Sequence, residues 1–212
     1  MEQENAVLDR RTQIILTTTQ LFLENGFSGT SMSAIAKGCG ITKASLYHHF
    51  TGKDELFSAC VTYGYTAALE AVEALVEDHD LSARRKLIEA IRVLYDITVE
   101  SSVGRMSPLI AEVSREFPNV ARDFHTEYIE PERELLWKII KEGVSSGEFS
   151  PVDQNQLFHV AFGPMVMLSL AREMFATFDD LDEHFPVSNL RDGHIDVILG
   201  MLNAEPDRKR KE

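Results

Sequence analysis

The stretch GFSGTSMSAIAKGCGITKASLYHHFTGKDELF, residues 26–57, decides how the rest of the chain is read. It holds two short helical patterns joined by a glycine turn. Asn25-Gly26 ends a preceding helix, because both residues accept the left-handed backbone. Thr30 or Ser31 can then cap a helix over 32–38 with Ile35 and Ala36 inward. Gly40 permits a tight turn anchored by Ile41, Thr42 caps a third helix over 43–50, and Gly52 breaks it. Short helix, turn, short helix describes a helix-turn-helix, whose second helix can enter the DNA major groove. Ala34, Ala36 and Ala44 are small where two helices must cross closely, and Ile35, Ile41, Leu46 and Phe50 are spaced to build the core between them. Lys43, Ala44, Ser45, Tyr47 and His48 are left facing outward. Ammonium, hydroxyl, phenol and imidazole can bond phosphates or base edges, and alanine can meet a thymine methyl. Lys53 adds a cation at a helix N-terminus, which binds phosphate by two means at once.

The same helical period extends outward in both directions, and no sustained strand alternation interrupts it. A first helix is expected over 8–24, with Ile14, Ile15, Leu21 and Phe22 on one face, and a long fourth helix over 53–76. Leu87, Ile91, Leu94 and Thr98 give an amphipathic helix over 81–100. Pro108 and Pro118 suit helix starts, and a helix over 118–144 should be kinked or divided at Pro131. Residues 152–175 are apolar on nearly every side, and 187–203 carry Ile195, Ile198, Leu199 and Leu202 on one face. A helix apolar all round must be covered all round, and a second copy of the same two helices would do so through a two-fold four-helix interface. The chain therefore divides into a helix-turn-helix domain (1–52), a larger domain (53–204, with 53–76 connecting), and a charged tail (205–212).

Composition bears on the partner. The 212 residues carry 34 acidic and 21 basic side chains, a net charge of -13, which as an average argues against a polyanion. Resolved along the chain, residues 1–57 balance at -1 and the remainder at -12, and the segment 25–53 has three lysines and no acid. The two parts face different partners. No apolar run reaches the length of a membrane span, the N-terminus lacks the pattern of a signal peptide, and two cysteines, Cys39 and Cys60, fit a reducing cytoplasm.

With LYHHF and GKDELF following a GIT turn, residues 26–57 resemble the DNA-binding domain of the tetracycline-repressor (TetR) family of transcriptional regulators. The resemblance implies an all-α homodimer with N-terminal helix-turn-helix domains and a larger C-terminal ligand-binding and dimerisation domain. It implies repression of an operator that is an inverted repeat of double-stranded DNA. By the same match Thr30 or Ser31, Tyr47 and Lys53 would grip phosphates, while Thr42, Lys43, Ala44, Ser45 and His48 would approach bases.

A regulator needs an input. Tyr63, Tyr65, Tyr95, Met106, Phe124, Tyr128, Trp137, Phe158, Phe162 and Met165 are the bulky, partly polar-tipped side chains that could line an adaptable apolar cavity, and eight of them (all but Tyr65 and Trp137) form the candidate ligand set. Core packing is the rival account of each. The effector class is a hydrophobic or amphipathic small molecule. A helical-bundle enzyme is the competing class, but none of the seven histidines has Asp or Glu three residues before it, so the di-iron pattern is missing. No phosphate loop, dinucleotide fingerprint or nucleophile elbow occurs either. The expectation is a non-enzyme with no metal and no cofactor. A thiol-based sensor using Cys39 or Cys60 is the other alternative.

Overall fold

A computed structural model describes residues 8–204; the expected charged tail over 205–212 lies outside the described residues. Among the described residues the regular structure is helical throughout. The helices are α1 (Arg10–Gly29), α2 (Met32–Gly38), α3 (Lys43–His49), α4 (Lys53–Glu77), α5 (Ala83–Tyr95), α6 (Ser107–Val113), α7 (Pro118–Phe124), α8 (Glu130–Ser146), α9 (Gln154–Met174), α10 (Leu181–His184) and α11 (Val187–Met201). Two π-helical turns, Asp96–Glu100 and His125–Ile129, follow α5 and α7. None of these helices is long and apolar enough to cross a membrane.

The chain forms two compact units: the residues up to Gly64 with Leu109–His125, and Tyr65–Pro108 with the residues from Thr126 onward. In the first unit α1 is capped by Asp9, whose carboxylate accepts the Thr12 amide. Its helical backbone breaks at Gly26 (φ 70°, ψ 171°), a conformation side chains resist, and Phe27–Gly29 add only a short closing turn. Ser31 caps α2 and Thr42 caps α3, accepting the amides of Ala34 and Ser45, each at 3.1 Å. The core joins Ile14, Phe22, Ile35, Leu46, Phe50 and Phe57, all essentially inaccessible to water. The unit runs past residue 52 because α4 contributes Leu56, Phe57, Cys60 and Val61 to that core, and it takes in α7 because Phe117 packs its ring 5.5 Å from Phe27.

The second unit packs α5, α8, α9 and α11 with the C-terminal half of α4 around Leu94, Ile139, Ile140, Met165, Ile198 and Leu202. Ser82 and Glu148 together satisfy the first amides of α5. Lys86 is fully buried, yet its ammonium has three acceptors, Val76 O and both oxygens of Glu142, at 2.8–3.0 Å. Near the expected division at Pro131 the chain makes the π turn His125–Ile129, and Pro131 then sits in the first turn of α8.

Candidate nucleic-acid interface and effector site

In the first unit α3 is anchored by a single row of side chains. Leu46 is fully buried and Phe50 caps the far end, while Ile41 is half-buried in the turn. The opposite face carries Lys43, Ala44, Tyr47 and His48, all exposed, and Ser45, half-exposed. Thr42 and Ser31 are exposed at two helix N-termini, with hydroxyls that cap and remain open to a phosphate. The Lys43 ammonium lies 5.9 Å from the Tyr47 ring centre, so cation and phenol share one edge of the helix. No acidic residue is present on α2 or α3.

Thr30 and Lys53 sit differently. Thr30 is buried, and its hydroxyl donates to Gly26 O at 2.8 Å and Leu21 O at 3.1 Å. The Lys53 ammonium donates to Phe27 O at 2.7 Å and Thr30 O at 3.0 Å, and lies 4.1 Å from the Phe27 ring centre. Desolvation lowers its pKa, with Glu116 acting the other way. Both side chains therefore tie the end of α1 to the start of α4. Sequence reasoning passed over two neighbours: Arg10 donates to Cys39 O at 2.9 Å, and the Arg11 guanidinium stacks 4.6 Å from the Phe50 ring. The thiols are poor nucleophiles, since burial pushes Cys60 up to about 12 and raises half-buried Cys39 as well.

The eight candidate effector residues are distributed over several places. Tyr63, exposed on α4, and Phe124, half-buried on α7, belong to the first unit. In the second, Tyr95 pairs its hydroxyl with His194 Nδ1 at 3.0 Å. The Phe158 and Phe162 ring centres lie 4.4 Å apart at a tilt of 37°, and Phe158 borders a small cavity of about 20 Å³ with Trp137, Leu157 and Ile198. Met106 and Met165 are fully buried. Tyr128 stands in a buried polar cluster: its hydroxyl donates to Glu132 Oε1 at 2.7 Å, and its ring centre is 4.1 Å from that of Tyr65. Sequence reasoning did not single out Glu132. Its signal was phase, because residues 132, 135, 136, 139 and 140 share the buried face of α8 and only one of them is charged.

A wider groove of about 490 Å³ runs between α9 and α11, bordered by His159, Val160, Pro164, Leu190, Gly193 and Val197. Beside it Val166, Met167, Met174 and Val197 are from half to two-thirds exposed, which is unusual for large apolar side chains grouped on two helices.

Residues 14–60 match the family described as bacterial regulatory proteins, tetR family. Over 67 residues the chain is 39% identical to the HTH-type transcriptional regulator UidR of Escherichia coli (strain K12), covering 32% of this chain and 34% of that one. The match thus spans about a third of that relative's length. Over 150 residues it is 27% identical to the HTH-type transcriptional repressor KstR2 of Rhodococcus jostii (strain RHA1), covering 70% and 72% of the two chains. The fold is similar to that of the transcriptional regulator FadR from Bacillus subtilis in complex with stearoyl-CoA, with a TM-score of 0.70 at 19% identity, covering 88% of this chain and 96% of that one.

Proposed function

The chain belongs, through its N-terminal domain, to the tetR family of bacterial regulatory proteins, and from that membership we propose a sequence-specific DNA-binding regulator, a repressor released from its operator by a hydrophobic or amphipathic small molecule. The observation that carries the reading is the exposed face of α3, where Lys43, Ala44, Ser45, Tyr47 and His48 stand on a helix of groove-fitting size that carries no acidic residue. Ser31 and Thr42 add hydroxyls at the two helix N-termini. Thr30 and Lys53 support that surface from behind, and the Lys53 charge adds to the local field. The acidic remainder of the chain opposes loose DNA binding and fixes the orientation of docking.

The exposed apolar residues of α9 and α11 support a two-fold homodimer. Its reading helices would stand about 35 Å apart, one DNA turn, on the halves of an inverted repeat. The bound stearoyl-CoA of FadR supports an amphipathic effector. The effector acts by binding the non-DNA-binding state more tightly, and α4, which runs from Lys53 into the second unit, carries the change.

Selection from a random duplex pool tests the reading, and the expected product is an inverted repeat. Tyr47→Ala should weaken binding to all duplexes alike, and adding Lys43→Ala should also reduce the preference for the selected sequence and flatten the dependence on salt. Recovery of no common sequence, or a double variant that binds as the parent does, overturns it.

A further inference from the structure

We infer that the second unit recognises a lipophilic primary amine, whose ammonium group pairs with the carboxyl of Glu132 beside the rings of Tyr65 and Tyr128. The inference rests on the effector reading above and names the chemistry of that effector.

Glu132 is fully buried on α8. One oxygen accepts the Tyr128 hydroxyl, and the other, Oε2, is shut from water with no hydrogen-bond partner. A buried carboxyl with an empty acceptor site is costly, and such groups call for an explanation in a native fold. Among the described residues no basic side chain acts on it; burial dominates its behaviour and Tyr128 supplies the one opposing hydrogen bond. The positive charge that would complete the site is absent from this cluster.

The surroundings select the same kind of ligand. The rings of Tyr65 and Tyr128 lie 4.1 Å apart and inclined by 31°, and aromatic faces attract cations. Thr98 and Ser107 offer uncharged hydroxyls to Tyr128 and Tyr65 respectively. A carboxylate or phosphate would meet no positive partner among these groups. Both π turns converge here, one carrying Thr98 and the other Tyr128. Such wide turns interrupt the ordinary helical bonding and recur at functional sites, where a change of register makes room for a ligand. Met106, fully buried in the same unit, is an adaptable apolar side chain, and the -12 balance of residues 58–212 favours cations.

Binding is an acid–base exchange. The amine arrives as its ammonium ion, Glu132 gives up its proton to the solvent buffer, and the carboxylate and ammonium form an ion pair with an N–H donated to Oε2. Charge and protons balance without a further reactant.

The full-length protein would be titrated by calorimetry at pH 7 with 4-phenylbutylamine, 4-phenylbutanol and 4-phenylbutyrate, which differ only in the head group, in two buffers of different ionisation enthalpy. The amine should bind one per protomer, at least about tenfold tighter than the alcohol, with the carboxylate weakest and up to one proton released per amine. Glu132→Gln, which copies the shape and hydrogen bonding of the protonated carboxyl, should remove the amine's advantage and the proton release and leave the alcohol's affinity unchanged. Equal binding of the three compounds, an amine that does not bind, amine binding without proton release, or unaltered amine binding in Glu132→Gln overturns the inference. A water held at Oε2 as a purely structural partner gives that last result. Duplex binding measured on the same preparations separates the two claims. Amine failure with intact operator binding sinks only this inference, and failure of the amine-free protein to bind any duplex selectively sinks the regulator reading.

Discussion

Burial holds the Glu132 carboxyl well above its ordinary range, so the folded chain keeps a proton that the unfolded chain releases near pH 4.5. A raised carboxyl pKa destabilises the fold as pH rises from the unfolded value toward the folded one, by roughly 1 kcal/mol per pH unit. Glu132→Gln removes this penalty. It should raise the urea midpoint at pH 7.5, by about 1–4 kcal/mol of stability, with little change at pH 5. His194 has the opposite sign. Its Nε2–H donates to Val160 O at 2.8 Å, so Nδ1 accepts from the Tyr95 hydroxyl at 3.0 Å, and the ring is held neutral. Burial lowers its pKa, so its contribution is present above about pH 6.5 and fades as pH falls toward the lowered folded value. With Glu132 neutralised by substitution, the His194 term is left in view, and stability should rise from pH 5 to 6.5. A variant whose pH profile matches the parent's would show that Glu132 is ionised in the folded protein.

At the scale of elements, the helix-turn-helix could be read because its signals are local. Ser31 and Thr42 cap, Gly26 breaks and Gly40 turns at φ 63°, each within a few residues of the element it bounds. The π turns could not. Pro131 announced a disturbance, but the i to i+5 bonding before it accompanies a contact of Tyr128 with Tyr65, far along the chain, and periodicity carries no trace of that. Thr30 and Lys53 show the same limit. The family resemblance implied phosphate contacts for Lys53 and for Thr30 or Ser31; the structure adds that the Thr30 hydroxyl and the Lys53 ammonium meet carbonyls of α1 and its cap, contacts that depend on how α1 and α4 meet. The end of α8 offers a sharper test of packing. A Cβ on Gly143 would collide with the Phe149 ring at Cδ2, because the chain reverses at Gly147 (φ 79°) and the Phe149 amide returns to Gly143 O at 3.0 Å. Gly143→Ala should cost about 1–3 kcal/mol, read as a lowered urea midpoint with helical dichroism retained under native conditions. An unchanged midpoint would mean that Phe149 does not hold this position.

For the molecule as a whole, the uneven charge and the uncovered face of α9 and α11 belong to one argument. A protein of net charge -13 gains little from general attraction to DNA, so its affinity must come from a few oriented contacts, and doubling them through a two-fold partner is the effective means. The sequence announced this face through a helix with apolar residues on nearly every side. The structure leaves Met167 and Met174 about two-thirds exposed and Val197 61% exposed in the single chain. Gly163, Gly193 and Gly200 on the same two helices have open space where a Cβ would stand, which allows another helix to approach closely. Placing a charge there should separate protomers without disturbing the core, since these side chains contribute little to it. The parent is expected to sediment as a dimer, and Met167→Glu with Val197→Glu as a monomer with unaltered helical content. The same variant should bind an inverted repeat no better than a single half-site, with a salt dependence about half as steep, because half the phosphate contacts are lost in one step. A parent that sediments as a monomer, or a charged variant that remains dimeric, would place the dimer contact elsewhere.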